Sequence, residues 1–506
     1  MKKIYELSRL SKIVKSLRNQ NKKVVLSHGA FDLLHIGHIK HFEAAKKKGD
    51  KLIVSLTKDQ FIDKGPNRPY FNLKLRMEAI AALSCVDYVT FSETDSSVDV
   101  IEKIKPNIYV KGQDYKIMKD DVSKKIYKEK AAVERFKGKI NFTEEIKFSS
   151  SKLFNNFDFI LNEDQKKFLA RVSKKIREKK LFDIFKKLKT DKTVILGEII
   201  IDKYNFCETL GKSGKDPILM FSKKKEETYL GGAGAIANHI SQLSDKVQLC
   251  SIIGSFENYL NFINKNISKK VKKKFFVKKN SPTIEKQKYL DHVSLNKIIG
   301  FYNFKDENIS NTIEKKINKF LNKNIIKDTT LLVADYGHGM ITDYLAKKIS
   351  KMKNFVTLNA QINAANYGTH SIKKYKNINI VIINETELRN ELRDSAESTE
   401  NLMKKISKTN NFKIVVVTKG KDGSILFNKA KNKFFYCPAF AVNVVDKIGS
   451  GDAMLSVISS VYKISGDEDL SLFLGSLAAA QKVQAIGNSK SINGKKLIKT
   501  FHHLIN

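Results

Sequence analysis

Two separate series of short apolar runs, each alternating with text of helical periodicity, constrain this chain more than any other feature. The first begins after Lys22 with VVLS, then a loop and a helix, KLIVSL, and later DYVTF and NIYVKG. Apolar runs of strand length with helices between them predict a parallel sheet covered on both faces. A second series begins at Thr193 with TVILGEIIID and continues through VQLCSIIG, TLLVADYG, NIVIIN and KIVVVTKG. Between the two, NEDQKKFLARVSKKIREKKLFDIFKKLKT sets Leu, Phe and Ile at helical spacing among basic residues and predicts a helical connector. The expected organisation is an α/β domain over residues 1–154, a connector over 155–190 and a larger α/β domain over 191–506, within what 506 residues allow. No internal repeat and no Gly/Ser- or Pro-rich linker interrupts it. The run SKKVKKKFFVKKN is expected to form a solvated face or an exposed loop.

The net charge of +40 would ordinarily raise nucleic acid or an anionic membrane surface as a partner. The lysines are spread along the whole chain instead of forming one stripe, so a solvated surface is the better reading and no nucleic-acid partner is expected. Such a field still attracts nucleotides and sugar phosphates at low salt. Four cysteines, Cys85, Cys207, Cys250 and Cys437, form no close pair, which fits a reducing cytoplasm. The opening MKKIYELSRLSKIVKSL lacks a signal-peptide core, and no later run is long enough for a membrane span.

In the first domain, the strand ending at Leu26 runs into Gly29-Ala30-Phe31-Asp32-Leu33-Leu34-His35-Ile36-Gly37-His38. His35 and His38 fall where the next helix should start, and their i, i+3 spacing puts both rings on one face. Free N–H groups at a helix start, a close-approach glycine and two imidazoles make a site for a phosphate. These residues resemble the HxGH signature of the cytidylyltransferase-like nucleotidyltransferases. The resemblance implies a Rossmann-like domain that transfers a nucleoside monophosphate from ATP or CTP to a phosphate acceptor. His35 and His38 would steady the α-phosphate, and Gly29, Ala30, Phe31 and Asp32 would line the nucleotide. Further segments resemble the family in order: Lys64 in KGPNRP and Arg76 in the next helix as triphosphate contacts, Lys111, Gly112 and Asp114 in KGQDY, and Ser149, Ser150 and Ser151 at a phosphate-binding turn.

In the second domain, Asp446-Lys447-Ile448-Gly449-Ser450-Gly451-Asp452 sits between a strand-like AVNVV and an apolar helix. Backbone N–H groups of such a turn form an anion hole, and Asp452 stands where it could take a proton from a hydroxyl. With Gly231-Gly232-Ala233-Gly234-Ala235-Ile236-Ala237-Asn238, Asn384-Glu385-Thr386-Glu387 and Thr418-Lys419-Gly420-Lys421-Asp422-Gly423, the segment resembles the ribokinase-like (PfkB) carbohydrate kinases. That resemblance implies a ribokinase-like α/β fold with Asp452 as general base and Gly449, Ser450 and Gly451 as anion hole. Thr418, Gly420 and Gly423 would lie near ATP, Asn384 and Glu387 would organise Mg²⁺ and its waters, and Asp202, Gly231, Gly232 and Asn238 would bind the sugar. The sequence departs from the family pattern at Lys447-Ile448, at Gln287-Lys288 where a Thr-Arg pair is expected, and at Asn359-Ala360-Gln361. Gly214-Lys215 lacks the spacing of a P-loop, and His338 is read as a loop residue and not a metal ligand.

Both modules in one chain resemble the bifunctional heptose-7-phosphate kinase/heptose-1-phosphate adenylyltransferases of lipopolysaccharide precursor synthesis, in which the kinase comes first. The expected function is therefore a kinase and nucleotidyltransferase that make an NDP-sugar from a sugar or sugar phosphate. Two alternatives stay open. One is a cytidylyltransferase for a polyol or other sugar phosphate with an altered or silent kinase. The other is a non-enzymatic basic RNA- or membrane-binding protein. A homo-oligomer is compatible with the enzyme readings.

Overall fold

The computed structural model describes residues 3–62, 69–112, 125–143, 161–175, 178–256, 259–441 and 444–505. The chain divides into two compact units, in essence residues 1–162 and 163–501. In the first, strands β1 (Val24–Gly29), β2 (Lys51–Thr57), β3 (Tyr88–Ser92), β4 (Ile108–Gly112) and β5 (Lys139–Thr143) form one sheet in the order β3-β2-β1-β4-β5. All its pairings are parallel. Both faces are covered: Val25, Leu52 and Val54 face one core, and Val24, Leu26 and Ile53 the other. That is why these strands read as unbroken apolar runs and not as an alternation. The helix Leu7–Asn19 meets the second core through Leu7, Leu10 and Val14, one stripe at helical spacing.

The second unit holds two sheets. The larger runs β10-β9-β6-β13-β14-β15-β16-β17-β18. Its members are β6 (Lys192–Gly197), β9 (Lys246–Gly254), β10 (Val271–Lys278), β13 (Thr330–Asp335), β14 (Phe355–Ala360), β15 (Ile380–Asn384), β16 (Ile414–Thr418), β17 (Ser424–Asn428) and β18 (Lys433–Cys437). It is parallel up to β16 and antiparallel from there. The smaller sheet, β12-β11-β7-β8, combines a long hairpin of β7 (Ile199–Lys212) and β8 (Leu219–Gly232) with β11 (Glu285–Asp291) and β12 (Lys297–Asn303).

Three local expectations change and a fourth is narrowed. TVILGEIIID is not one strand: it breaks at Glu198, whose buried carboxylate takes the backbone N–H groups of Tyr336, His338 and Met340. SKKVKKKFFVKKN holds an edge strand, β10, so of its two expected forms the solvated face stands and the loop does not; its outward lysines blunt an edge that could otherwise pair with another chain. The described part of AVNVV is not a strand, because Val445 N–H bonds the Val483 carbonyl at a helix end instead of a sheet neighbour. The connector is helical over Glu163–Lys175 and Glu178–Thr190, but both helices belong to the second unit. Arg171 and Lys175 bind Asp469 at 2.9 and 3.0 Å, and Phe168 packs on Phe440 and Phe473.

Candidate active sites

In a doubly wound sheet, ligands bind at the carboxyl ends of strands where the strand order reverses. In the first unit that point lies between β1 and β4, neighbours from which the chain winds outward in opposite directions. The HxGH loop leaves β1 there, and Lys111 and Gly112 end β4 beside it. His35 caps the helix Ile36–Lys46: its Nδ1 accepts the Gly37 N–H at 3.1 Å. The rings of His35 and His38 stack at 3.8 Å between centroids, and Phe31 meets His38 edge-on at 5.3 Å. Phe31 takes a left-handed backbone, φ 45°, and lays its ring against Gly29, where any Cβ would collide with it. The two imidazoles are thus fixed at the open end of the sheet.

Three residues expected to touch nucleotide are instead committed to the framework. The Arg76 guanidinium is wholly buried and spends its N–H groups on the carbonyls of Phe71 (2.9 Å), Thr57 (2.9 Å) and Ala30 and on Asp59 (2.6 Å). It ties the HxGH loop to β2 and is closed to a triphosphate. Asp32 is buried and accepts the backbone N–H groups of Tyr70 and Phe71 at 2.7 and 3.1 Å. The Lys111 ammonium lies 3.0 Å from the buried Glu129 carboxylate. Burial works against the ionisation of Glu129, but Lys111, joined by His28 and Ser97, outweighs it and holds the carboxyl below its usual range. Gly112, by contrast, faces open space. Lys64, Asp114, Ser149, Ser150 and Ser151 lie outside the described residues.

Sequence reasoning missed His41, one turn past His38. Its Nε2 meets Ser27 Oγ and its Nδ1 meets Thr143 Oγ1, both at 2.8 Å, so it bridges the helix to β1 and β5. Burial, reinforced by Lys111, pulls its pKa down to about 4. A neutral ring satisfies both bonds, one nitrogen donating and the other accepting.

The order of the larger sheet in the second unit reverses between β6 and β13. Glu198 follows β6, Tyr336 follows β13, and the Tyr336 hydroxyl donates to Asp452 Oδ1 at 3.0 Å. Asp452 lies in the first turn of the helix Ser450–Ser465, whose N-cap Gly449 has φ 79° and packs so closely on Asn488 and Lys482 that no side chain fits. Ser450 Oγ donates to the Lys447 carbonyl at 2.7 Å, and Gly451 faces open space. The glycines thus leave the helix's first N–H groups accessible to an anion. Burial pushes the Asp452 carboxyl up to about 6, against the hydrogen bond from Tyr336.

Asp202 on β7 binds Lys288 Nζ at 2.6 Å and packs against Gly231 so tightly that a Cβ there would strike its carboxylate. Gly232 continues β8 beside it. The departure at Gln287-Lys288 therefore puts an ammonium on the sugar-binding candidate. Lys286, paired across the sheet with Asp202, is a second buried ammonium; burial lowers its pKa while Asp202 opposes that. A third, Lys482, bonds the Gly487 carbonyl, and Asp446 takes Gly487 N–H and Tyr204 Oη, both at 2.9 Å. Asn238 does not join this group: its amide is used at both ends, on the Asn266 carbonyl and Ser268 N–H, each at 2.8 Å. His338 is a buried loop residue, as expected, with its pKa brought down to about 3 by burial and by Lys286.

Asn384, Glu387, Thr418 and Gly420 converge on one cleft of about 520 Å³, also lined by Asn363 and Tyr367. Gly423 is absent from its lining and sits against the Cys437 carbonyl. Asn384 and Glu387 form a reciprocal cap at the start of the helix Glu385–Leu392, with both bonds 2.8 Å. Burial pushes Glu387 up to about 7. A buried carboxylate facing a cleft, its oxygens already taking backbone N–H groups, suits the water shell of a divalent cation better than direct ligation. No cluster of three His, Cys, Asp or Glu side chains fit to hold a metal occurs among the described residues. Nor is any described helix long and apolar enough to cross a membrane.

Comparison with known proteins divides the chain in the same way. The model of the pfkB family carbohydrate kinases matches residues 190–494, and the cytidylyltransferase-like model matches residues 26–156. Curated relatives include Bifunctional protein HldE of Trichlorobacter lovleyi, 44% identical over 108 residues, which are 21% of this chain and 22% of that protein. The HldE proteins of Geobacter metallireducens (40% over 115 residues, 22% and 24%) and Helicobacter pylori strain G27 (44% over 108 residues, 21% and 23%) are similar. These matches fall in the cytidylyltransferase-like region and span less than a quarter of each relative. Phosphofructokinase-2 from Escherichia coli overlays 63% of this chain on 100% of its own with a TM-score of 0.50 and 12% identity, a likeness of fold alone.

Proposed function

Because this chain belongs to the pfkB family of carbohydrate kinases, we propose that its second unit phosphorylates a sugar or sugar phosphate from ATP and its first unit caps a sugar 1-phosphate with a nucleotide. The product would be an NDP-sugar of the ADP-heptose kind, made in the cytoplasm for a surface glycan or lipopolysaccharide. The observation that carries this reading is the cytidylyltransferase-like unit on the same chain as the kinase unit, with that first unit 40–44% identical to part of proteins named bifunctional.

In the kinase step, Asp452 takes the proton of the acceptor hydroxyl as that oxygen bonds to the γ-phosphorus. The bond from the γ-phosphorus to the β–γ bridging oxygen breaks, ADP leaves, and Asp452 returns its proton to solvent. Gly449, Ser450 and Gly451 receive the charge that develops on the phosphoryl oxygens, and Asp202 with Lys288 holds the acceptor. Asn384 and Glu387 would hold the water shell of a Mg²⁺ ion, which would supply positive charge to the phosphates. In the transfer step the acceptor phosphate attacks the α-phosphorus of ATP or CTP and pyrophosphate leaves. His35, His38 and the helix N–H groups between them stabilise the crowded phosphorus. Phosphorus NMR of the products from each NTP and a panel of sugars and sugar phosphates tests both halves. It should show a new sugar phosphate with ADP, then a diphosphate linkage with pyrophosphate. A chain that makes neither is not this enzyme.

A further inference from the structure

The segment DYGHGM resembles a kinase substrate loop and drew notice for His338, not for its neighbour Tyr336; yet among the described residues the Tyr336 hydroxyl is the side-chain donor that reaches the Asp452 carboxylate, at 3.0 Å. The tyrosine is itself immobilised from three sides. Its N–H donates to Glu198 Oε2 at 3.0 Å, and its carbonyl accepts from Asn363 Nδ2 and Asn366 Nδ2, both at 2.9 Å. Glu198 Oε1 also takes the N–H groups of His338 and Met340 at 3.3 Å, which winds the 336–340 loop around one buried carboxylate. Burial and the neighbouring Asp335 both favour the protonated form of Glu198, and its three backbone donors oppose them. A phenylalanine would fill the ring's volume equally well, whereas a buried hydroxyl is tolerated when it has a partner.

We propose that Tyr336 is the positioning residue of the phosphoryl-transfer site: it grips Asp452 by Oδ1, favours the ionised carboxylate, and leaves Oδ2 to receive the proton of the acceptor hydroxyl. The inference rests on the kinase reading of the second unit. The tyrosine acts only as donor, because burial and the Asp452 charge drive its own ionisation far above the working range. Other charges face Asp452 as well. Asp202 on β7 disfavours the carboxylate, while Lys286 on β11 and Lys482 at the end of the helix Glu468–Lys482 favour it. Tyr336 differs from them in fixing which oxygen is left for chemistry.

The test is Tyr336→Phe in the full chain, with ADP release followed from about pH 5 to 9 on the acceptor that the wild type phosphorylates. The acid limb of kcat/KM should move up by roughly one pH unit, the scale of a lost charge-assisted hydrogen bond, so that kcat/KM near pH 6 falls about fivefold to tenfold. The thermal melting temperature and the rate of nucleotidyl transfer should stay close to wild type. Asn363→Ser, which removes one donor to the Tyr336 carbonyl, should move the limb the same way by less, and it carries the test if Tyr336→Phe does not fold. An acid limb that stays in place overturns the proposal. A wild type that phosphorylates no sugar or sugar phosphate overturns the kinase reading instead.

Discussion

The two sites occupy equivalent places, each at the carboxyl end of a parallel sheet where the strand order reverses, yet they are built in opposite ways. The first is local: from Gly29 to His38 one loop and one helix start supply both imidazoles, and that loop is held from outside by Arg76 and by the backbone N–H groups of Tyr70 and Phe71 on its own Asp32. The second is assembled: Asp202, Lys286, Tyr336, Asp452 and Lys482 come from five separate segments. A local site stands or falls with its helix cap and loop clamp. An assembled site depends on buried charges that must be mutually satisfied across the fold. The electrostatics follow the same division: a neutral His41 ring behind the first, a carboxylate raised to about 6 in the second.

If the sites are independent, single substitutions should separate them. Asp452→Asn should lower kinase turnover by on the order of 10²- to 10⁴-fold, the worth of a general base, and leave pyrophosphate release by the first unit unchanged. His38→Ala should lower nucleotidyl transfer by roughly 10²- to 10³-fold, the scale for one lost transition-state donor, and spare ADP formation. Separate coupled assays for ADP and pyrophosphate on each variant read this directly. A cross-effect in either direction would break the comparison, because it would make the two sites parts of one machine.

The framework role of Arg76 gives the next largest effect. Arg76→Met keeps most of the volume but strands the carbonyls of Ala30, Thr57 and Phe71 and takes the cation from Asp59, which keeps the Leu73 N–H. Leaving buried acceptors without their donor costs about 2 to 3 kcal/mol. Urea unfolding should show the first unit's transition moved to lower denaturant and the second unit's in place. Wild-type stability combined with a large rise in the KM for NTP would return Arg76 to the triphosphate and away from the loop.

What was legible in the sequence follows the same local-versus-assembled division. Parallel strands buried on both faces announce themselves as VVLS or KIVVVTKG, and the cap chemistry of His35 and of Asn384-Glu387 is written within four residues. The smaller sheet was not legible, because β8 mixes lysine and glutamate with apolar residues and β12 puts its apolar residues on a wholly exposed surface. Lysine count likewise hid β10. Lys286 and Lys482 carry no motif, and the one around Tyr336 drew notice for His338; what marks all three is burial of a polar group, which exists only once the chain is folded. Arg76, Asp32, Lys111 and Asn238 show the converse: the right residue at the expected position, with its polar groups already spent inside the protein.

His41 gives the smallest effect and the sharpest contrast between the units. It is held neutral at a folded-state pKa of about 4, below the 6.5 of an unperturbed imidazole. Between those values the unfolded chain binds the proton and the folded unit does not. The contribution of His41 is therefore complete above pH 6.5 and drains away as the pH falls toward 4, at up to about 1.4 kcal/mol per pH unit. His239 and His338 in the second unit, both near 3, act with the same sign. There, however, Asp452 and Glu387, raised to about 6 and 7, contribute stability that is present in acid and lost as the pH rises through those values. These raised carboxyls oppose the histidines of the second unit, where lowered carboxyls such as Asp335 and Asp446 act with the histidines, whereas His41 meets no raised carboxyl among the described residues of the first: Asp87 and Glu129 are both lowered. His41→Gln keeps an acceptor for Ser27 and a donor for Thr143 but cannot titrate. Its free energy of unfolding in urea should match the wild type within about 1 kcal/mol at pH 7.5 and exceed it at pH 5 for the first transition alone, because a well-satisfied amide replaces a ring that water would protonate. Equal acid slopes in the two proteins would show that the imidazole is not the group that makes the first unit acid-labile.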